Sequence, residues 1–418
     1  MKFLHISDLH IGKRINEFSM IEDQKYILRQ ILEIAERSDA ESVLIAGDIY
    51  DKQAPSAEAV QVFDSFLTSL ADQKKKIFVV SGNHDSAERL CFGAQLMRES
   101  QVYMSRAYDG NPLKIRLKDA HGELFVHLLP FIKPAMVRYA LEKEADQRDG
   151  NGAGIRPETD AANTQSCETY QEAVRLAIEH MEIDESVRNI LVAHQFVTGA
   201  GRCESEEVAV GGIDNVDVEV FDAFDYVALG HIHSPQWVGR EGVRYCGTPL
   251  KYSFSESEQE KSVTIVELKE KGNLEITTIP LKPLHDMRKI RGTYMEVTKP
   301  SFAISDDRER KGQATASDGG GRKPDREDYL QITLTDEEDI IDGFMKLRTF
   351  YPNLMRLSYD NSRTQQDRKV EAVQDMEQKS ELALFEEFYE LQNNQPMSAQ
   401  QREFVKKLIE SCLAGGVQ

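Results

Sequence analysis

Residues 76–85 read KIFVVSGNHD. Ile77, Phe78, Val79 and Val80 form a β-branched and aromatic run of strand length. The run then stops abruptly in Ser81, Gly82, Asn83, His84 and Asp85, which offer an amide, an imidazole and a carboxylate in succession. The pattern recurs along the chain. FLHIS (3–7) leads into Asp8 and His10, SVLIA (42–46) into Asp48, NILVA (189–193) into His194, and YVALG (226–230) into His231 and His233. FVHLLP (125–130) is a further apolar run of the same kind. Between these runs lie amphipathic stretches with helical period, at 20–37, 56–73 and 168–183. Strands alternating with helices predict an α/β layered domain. In such sheets a site forms off the carboxyl ends of the strands, which is where all these polar residues fall.

The residue types define the chemistry. Carboxylate, amide oxygen and neutral imidazole together suit two divalent ions of the Mn, Fe and Zn range. Such a pair, about 3.5–4 Å apart, is a usual device for hydrolysing phosphate esters. Asp48, between the groups of the first and third strands, is the candidate bridging carboxylate. Asp8 and His10 can face one ion and Asn83 the other, with His194, His231 and His233 completing the shells. In GHIH the two imidazoles are two residues apart, so on an extended segment both point the same way. His84 neighbours a ligand and is expected to point elsewhere, as donor to a phosphate oxygen or to the leaving alkoxide. Asp85 is its candidate orienting partner, and Asp51 a further outer group. His5, His121, His127, His180 and His285 carry no such context.

The 418 residues suffice for two or three domains, and 40% hydrophobic content for a sizeable core. No apolar run reaches membrane-spanning length. Met1-Lys2 runs straight into FLHIS without a signal-peptide pattern, so a cytoplasmic protein with no membrane partner is expected. Five cysteines without C-x-x-C pairing argue against a disulfide scaffold and a structural zinc site. A net charge of −20 is a poor footprint for an autonomous nucleic-acid binder. Either the substrate is not a long polyanion, or positive charge is concentrated locally or supplied by a partner.

Two polar stretches, 144–167 and 303–328, read as loops. After 281 the texture changes: Lys282, Arg288, Lys289 and Arg291 make a basic segment, 329–335 and 354–360 read as strands, and 338–349 as a short helix. Residues 281–362 therefore read as a small α+β unit, with the 303–328 loop inside it. Residues 375–418 read as two amphipathic helices around NNQPMS, with Phe385, Phe388, Leu391, Phe404, Leu408 and Ile409 on their apolar faces. Residues 87–98 (AERLCFGAQLMR) read as an amphipathic helix that either exposes Leu90, Phe92 and Leu96 for pairing or packs on its own core.

DxH, GD, GNHD, a lone His and GHxH in this order resemble the calcineurin-like metallophosphoesterase superfamily over residues 1–280. MKFLHISDLHIGK, GDIYDKQAPS, GHIHSPQWV and YCGTPLKYSFSE look more narrowly like the SbcD family, the Mre-type DNA-repair nucleases of bacteria. The resemblance implies a four-layer α/β/β/α sandwich, a small α+β capping domain and a C-terminal helix-loop-helix. It implies a first metal on Asp8, His10, Asp48 and His233, a second on Asp48, Asn83, His194 and His231, and His84 as the catalytic histidine. It further implies two Mn2+ ions, an SbcC-like ATPase partner docked on the C-terminal helices, double-stranded DNA ends and hairpins as substrate, and a homodimer within a heterotetramer. Two other readings stand beside this one. A small-molecule phosphodiesterase or phosphatase suits the acidic charge better but leaves the last 140 residues unexplained. A non-catalytic DNA or ATPase scaffold conflicts with a complete ligand set.

Overall fold

The computed structural model describes residues 1–149, 167–206, 215–299 and 326–361, together with a few positions between 385 and 406. Its strands are β1 (Lys2–Ile6), β2 (Arg14–Ile15), β3 (Phe18–Ser19), β4 (Ser42–Ala46), β5 (Lys76–Val80), β6 (Val102–Met104), β7 (Leu113–Asp119), β8 (Gly122–Leu129), β9 (Arg188–His194) and β10 (Tyr226–Gly230). They continue with β11 (Gln236–Val238), β12 (Arg240–Tyr245), β13 (Ser262–Leu268), β14 (Leu274–Pro280), β15 (Met287–Gly292), β16 (Tyr329–Leu334) and β17 (Leu354–Tyr359). One sheet runs β14-β13-β1-β4-β5-β6 and a second β11-β12-β10-β9-β8-β7. Each has a parallel run, β1-β4-β5-β6 in one and β8-β9-β10-β12 in the other, with antiparallel β13 and β14 beside β1 in the first and antiparallel β7 and β11 at the two edges of the second.

The pleat explains the layering. Alternate residues of a strand face opposite sides, and here both sides are apolar. Phe3, Leu44, Phe78 and Val80 of the first sheet meet Val126, Leu128, Ile190, Val192 and Ala228 of the second in one core. Their neighbours Leu4, Val43, Ile45, Ile77 and Val79 turn outward against helices α1 (Ile21–Arg37) and α2 (Ala57–Asp72). On the far side Leu191, Ala193, Val227 and Leu229 pack under the helices Pro134–Asp149 and Tyr170–Glu179. The order is α/β/β/α, as the resemblance implies. The start of α2 is fixed by Ser56, whose hydroxyl accepts from the Ala59 N–H at 3.2 Å.

Several local readings change. The helix Pro134–Asp149 runs through 144–149, which the sequence reading assigned to a loop. Glu, Ala, Lys, Gln and Arg are good helix formers, so scarcity of large apolar residues does not end a helix. The rest of that stretch, 150–166, lies outside the described residues. Residues 87–98 form two single turns, Ala87–Leu90 and Ala94–Met97, separated by Gly93 at φ +73°. Leu90 is buried, while Phe92 and Leu96 are 84% and 79% exposed.

Beyond β14 a three-stranded sheet, β15-β16-β17, is parallel throughout. Its own core holds Ile290, Leu330, Ile332, Leu347 and Leu354. The expected helix at 338–349 shrinks to Gly343–Arg348, because Asp342 takes a left-handed backbone, φ 55°. Asp23 on α1 joins this sheet to the larger unit. Its carboxylate accepts from the Tyr329 hydroxyl at 2.9 Å and the His285 N–H at 3.1 Å. Residues 303–325 of the expected loop lie outside the described residues. So does most of the expected C-terminal pair of helices, including Phe388, Leu391, Leu408 and Ile409. Among the described positions there, Phe385, Tyr389, Met397, Gln401, Phe404 and Val405 line a cavity of about 360 Å³.

Candidate metal centre

β1, β4 and β5 are consecutive neighbours in one sheet, and β9 and β10 in the other. Their carboxyl ends therefore deliver Asp8, Asp48 and Asn83 from one side and His194 and His231 from the other. The two edges meet closely. A side chain on Gly230 would fall against the Ala46 carbonyl, and one on Gly82 against the Asp48 carboxylate. Only glycine lets the backbones approach this far.

Asp48 is the hub. Its Oδ2 lies 3.5 Å from Nε2 of His194, 3.6 Å from Nε2 of His10 and 3.9 Å from Nε2 of His84. Its Oδ1 accepts the His84 N–H at 2.9 Å. His10 and His233 face each other Nε2 to Nε2 at 3.2 Å, and among the described residues the other ring nitrogen of His10 is buried without a hydrogen-bond partner. Asn83 Oδ1 lies 3.1 Å from both His194 Nε2 and His231 Nδ1. Asp8 accepts from the His231 N–H at 3.0 Å and from the Ser7 hydroxyl. Three trios each bring their ligand atoms within 4.8 Å of one another: Asp8, His10 and His233; His10, Asp48 and His84; Asp8, Asp48 and His194.

Backbone strain is concentrated at the same residues. Asp8, His10, Asp48 and His231 hold φ of 52°, 44°, 49° and 102°. Each such non-glycine conformation costs on the order of 1–3 kcal/mol and persists where the surroundings over-determine it.

The electrostatics are those of a buried pocket that needs a cation. Burial drives the His10 imidazole well below its usual value, and burial with the nearby His194 lowers His231 to about 3, so both rings are neutral donors. Burial raises the Asp8 carboxyl. Burial also disfavours a charged His194, yet the Asp48 carboxylate beside it wins and lifts that imidazole to about 9. Asp48 is held correspondingly well below the carboxylate range, chiefly by His194 against the cost of burial. A protein-borne proton thus balances Asp48. The convergent Nε2 atoms and the buried carboxylates fit divalent cations.

His84 sits at the edge of this group, half-buried. Its Nδ1 donates to the Asp51 carbonyl at 3.0 Å, which leaves Nε2 turned toward Asp48. The expected partnership of Asp85 with this ring changes. The Asp85 carboxylate accepts three backbone N–H groups, from Gly82 at 2.9 Å, Tyr50 at 3.0 Å and Ile49 at 3.1 Å. A carboxylate met by three donors ties two loops together and has little left to orient a neighbouring ring. Burial, then the Asp48 charge, pushes it up to about 6. The Asp51 carboxylate pairs instead with Lys13 at 2.9 Å.

The sequence reading missed the residues underneath. Gln24 donates to the His10 carbonyl at 2.8 Å and to the Tyr252 hydroxyl at 3.0 Å. Glu206 accepts the His233 N–H at 2.7 Å. None of them sits at a strand end, and only the distant segments' meeting gives them a role. The histidines expected to be bystanders pair elsewhere: His5 with Tyr226, His127 with Asn189, His180 with the Leu176 carbonyl, His121 with Glu270 and His285 with Asp23.

Residues 1–235 match the family model for calcineurin-like phosphoesterases, which fits this sandwich and its cluster of Asp and His. Residues 283–393 match a model described as the type 5 capsule protein repressor C-terminal domain. Over 421 aligned residues the chain is 30% identical to the SbcD subunit of the nuclease SbcCD from Staphylococcus epidermidis, covering 99% of each chain. Among solved structures it is similar to a dimetal phosphatase from Danio rerio (13% identity, 68% of this chain and 99% of that one, TM-score 0.37). It is also similar to the protein TT1561 of Thermus thermophilus (11% identity, 66% and 98%, TM-score 0.34). The family matches and the site together define the class as metal-dependent phosphoesterase. The chain belongs to the SbcD family of nuclease subunits within the calcineurin-like phosphoesterases. Among the described residues no helix is long and apolar enough to cross a membrane.

Proposed function

We propose that this chain is a Mn2+-dependent DNA exonuclease and endonuclease subunit that cleaves double-stranded ends and hairpins alongside an SbcC-like ATPase. The observation that carries the reading is the Asp48 carboxylate oxygen, with the Nε2 atoms of three imidazoles within 3.9 Å. That arrangement supports Asp48 as the bridge between two ions. Asp8, His10 and His233 would hold one ion with it, and Asn83, His194 and His231 the other. When bound, the ions would supply Lewis-acid charge for the scissile phosphate and activate water. The protein's own residues do the rest. His84, anchored through Nδ1–H on the Asp51 carbonyl, presents Nε2 to the leaving oxygen as acid. Asp85 holds the loops that carry Asp48 and Asn83. Lys13, paired with the Asp51 carboxylate, braces the loop whose carbonyl anchors His84.

In this reading residues 1–280 are the nuclease domain, 281–362 a capping domain for DNA, and 375–418 the segment for the ATPase. The exposed Phe92 and Leu96 support a homodimer at that face, within a heterotetramer. A small-molecule phosphodiesterase would share the same centre, and the net charge of −20 favours it. One assay separates the two: cleavage of hairpin DNA and of bis-p-nitrophenyl phosphate by the full chain, with Mn2+ or EDTA, with and without the ATPase. Hairpin cleavage that needs Mn2+ supports the proposal. Turnover of the small ester alone, unchanged by the ATPase, overturns it.

A further inference from the structure

His233 Nδ1 lies 2.7 Å from the Ser205 hydroxyl, and that hydroxyl donates to Glu256 Oε1 at 2.6 Å. Glu256 is fully buried and meets only donors. Lys261 Nζ reaches its other oxygen at 2.5 Å, and the Tyr252 N–H, the Ser253 hydroxyl and the Thr248 hydroxyl approach at 3.3, 3.1 and 3.4 Å. Lys261, itself buried, also donates to the His233 carbonyl at 2.9 Å. Counting protons then leaves one arrangement. The single hydroxyl proton of Ser205 is spent on Glu256, so toward His233 its oxygen can only accept. Nδ1 of His233 must carry a hydrogen, so in the neutral ring that a metal ligand requires Nε2 keeps the lone pair. That lone pair is aimed into the cluster, 3.2 Å from Nε2 of His10.

We propose that Ser205, Glu256 and Lys261 form a positioning relay that fixes the tautomer and ring orientation of His233, and thereby sets the affinity of the divalent-ion site nearest His10. The idea rests on the reading above that His233 is a ligand. Ser205 lies on the segment after β9, and Glu256 and Lys261 lie just ahead of β13, so the relay ties one sheet's loop to the other sheet's strand. Partners of this kind, hydrogen-bonded behind a ligand imidazole, typically change metal affinity by 10–100-fold when removed.

The test uses the full-length chain stripped of metal, with Mn2+ alone titrated calorimetrically and Co2+ alone followed by its visible absorption. Ser205→Ala leaves the Glu256–Lys261 pair intact. It should weaken one of the two binding events by about 10–100-fold, alter the Co2+ spectrum, and leave the melting temperature of the metal-free protein unchanged. Ser205→Thr, which restores the hydroxyl, should recover both. His233→Ala serves as the reference for the underlying reading and should lose one ion outright. Retention of both ions in His233→Ala would sink the ligand assignment itself. Loss of an ion there, with wild-type affinities and spectrum in Ser205→Ala, would overturn the relay alone. A weakened Ser205→Ala that Ser205→Thr does not recover would overturn it too, because the hydroxyl would then not be the cause.

Discussion

The Ala46 carbonyl accepts a hydrogen bond from Nδ1 of His194 at 2.8 Å, across the gap between the two sheets. A carbonyl only accepts, so Nδ1 of His194 carries a hydrogen whatever the charge of the ring, and Nε2 is turned toward Asp48 and Asn83. Ala46 is the last residue of β4 and stands two positions before Asp48. The strand end that places the hub carboxylate thus also orients an imidazole from the opposite sheet. The centre is built where the two sheets touch, and its geometry depends on both.

Asp48→Asn should lose both ions and bring phosphodiester hydrolysis below about 0.1% of the wild-type rate, beyond the roughly 10²–10³-fold that one lost electrostatic contact removes. The neutral amide keeps the shape but removes the charge that three imidazoles surround. Elemental analysis of the purified variant checks it. Two ions per chain in that variant would rule out the bridging role.

His84→Gln should keep both ions and slow the reaction by about 10²–10⁴, the range for a lost positioned acid. The Nδ1 bond to the Asp51 carbonyl holds the ring without requiring it as a ligand. Rate and metal content are measured on the same preparation. Loss of an ion would make His84 a ligand, and an unchanged rate would remove it from catalysis.

Much of this site could be read from the chain because a buried parallel strand writes a simple signature. Four apolar residues that run through Gly47 into Asp48, or directly into His194, need no knowledge of the partner strand. The role of Asp85 could not be read that way. Its three donors come from residues 49, 50 and 82, and which loop folds over which is a tertiary fact. Ser205, Glu206 and Glu256 were hidden for the same reason, being polar residues in turns that resemble any solvated loop. The helix through 144–149 was missed because propensity, not apolar period, sustains it. The parallel pairing of β15, β16 and β17 leaves no mark on strands this short.

The Asp119 carboxylate grips the buried Arg188 guanidinium at 2.6 and 3.0 Å, at the edge of the inter-sheet core. Arg188 holds its carboxyl well below the usual carboxylate range. The sign follows from that direction. A carboxylate with a depressed folded-state pKa adds stability above the unfolded value of about 3.9, and the contribution fades as the pH falls from there toward the folded value. Asp119→Asn should cost about 3 kcal/mol at neutral pH, because it removes the charge opposite a buried guanidinium and leaves it to the Gly122, Leu268 and Lys269 carbonyls. Urea unfolding of both proteins at pH 7 and pH 3 should show the gap narrowing at the lower pH. A constant gap would mean that the ion pair's charge is not what the substitution removes.

Deleting residues 380–418 should spare the phosphodiesterase centre and sever the association with the proposed ATPase partner. Phe385 and Phe404 are 41% and 68% exposed, and with Tyr389, Met397 and Val405 they line an apolar cavity. Amphipathic helices that leave apolar faces open commonly dock in a groove or on a partner helix. The competing outcome is that these residues cover the chain's own core, which amphipathic helices also do. The two differ measurably. A partner-binding tail can be removed with little change in melting temperature or in Mn2+-dependent hydrolysis of bis-p-nitrophenyl phosphate, while co-purification with the ATPase disappears. A truncated chain that precipitates, or one that still retains the ATPase at full strength, would assign the tail to the protein's own core instead.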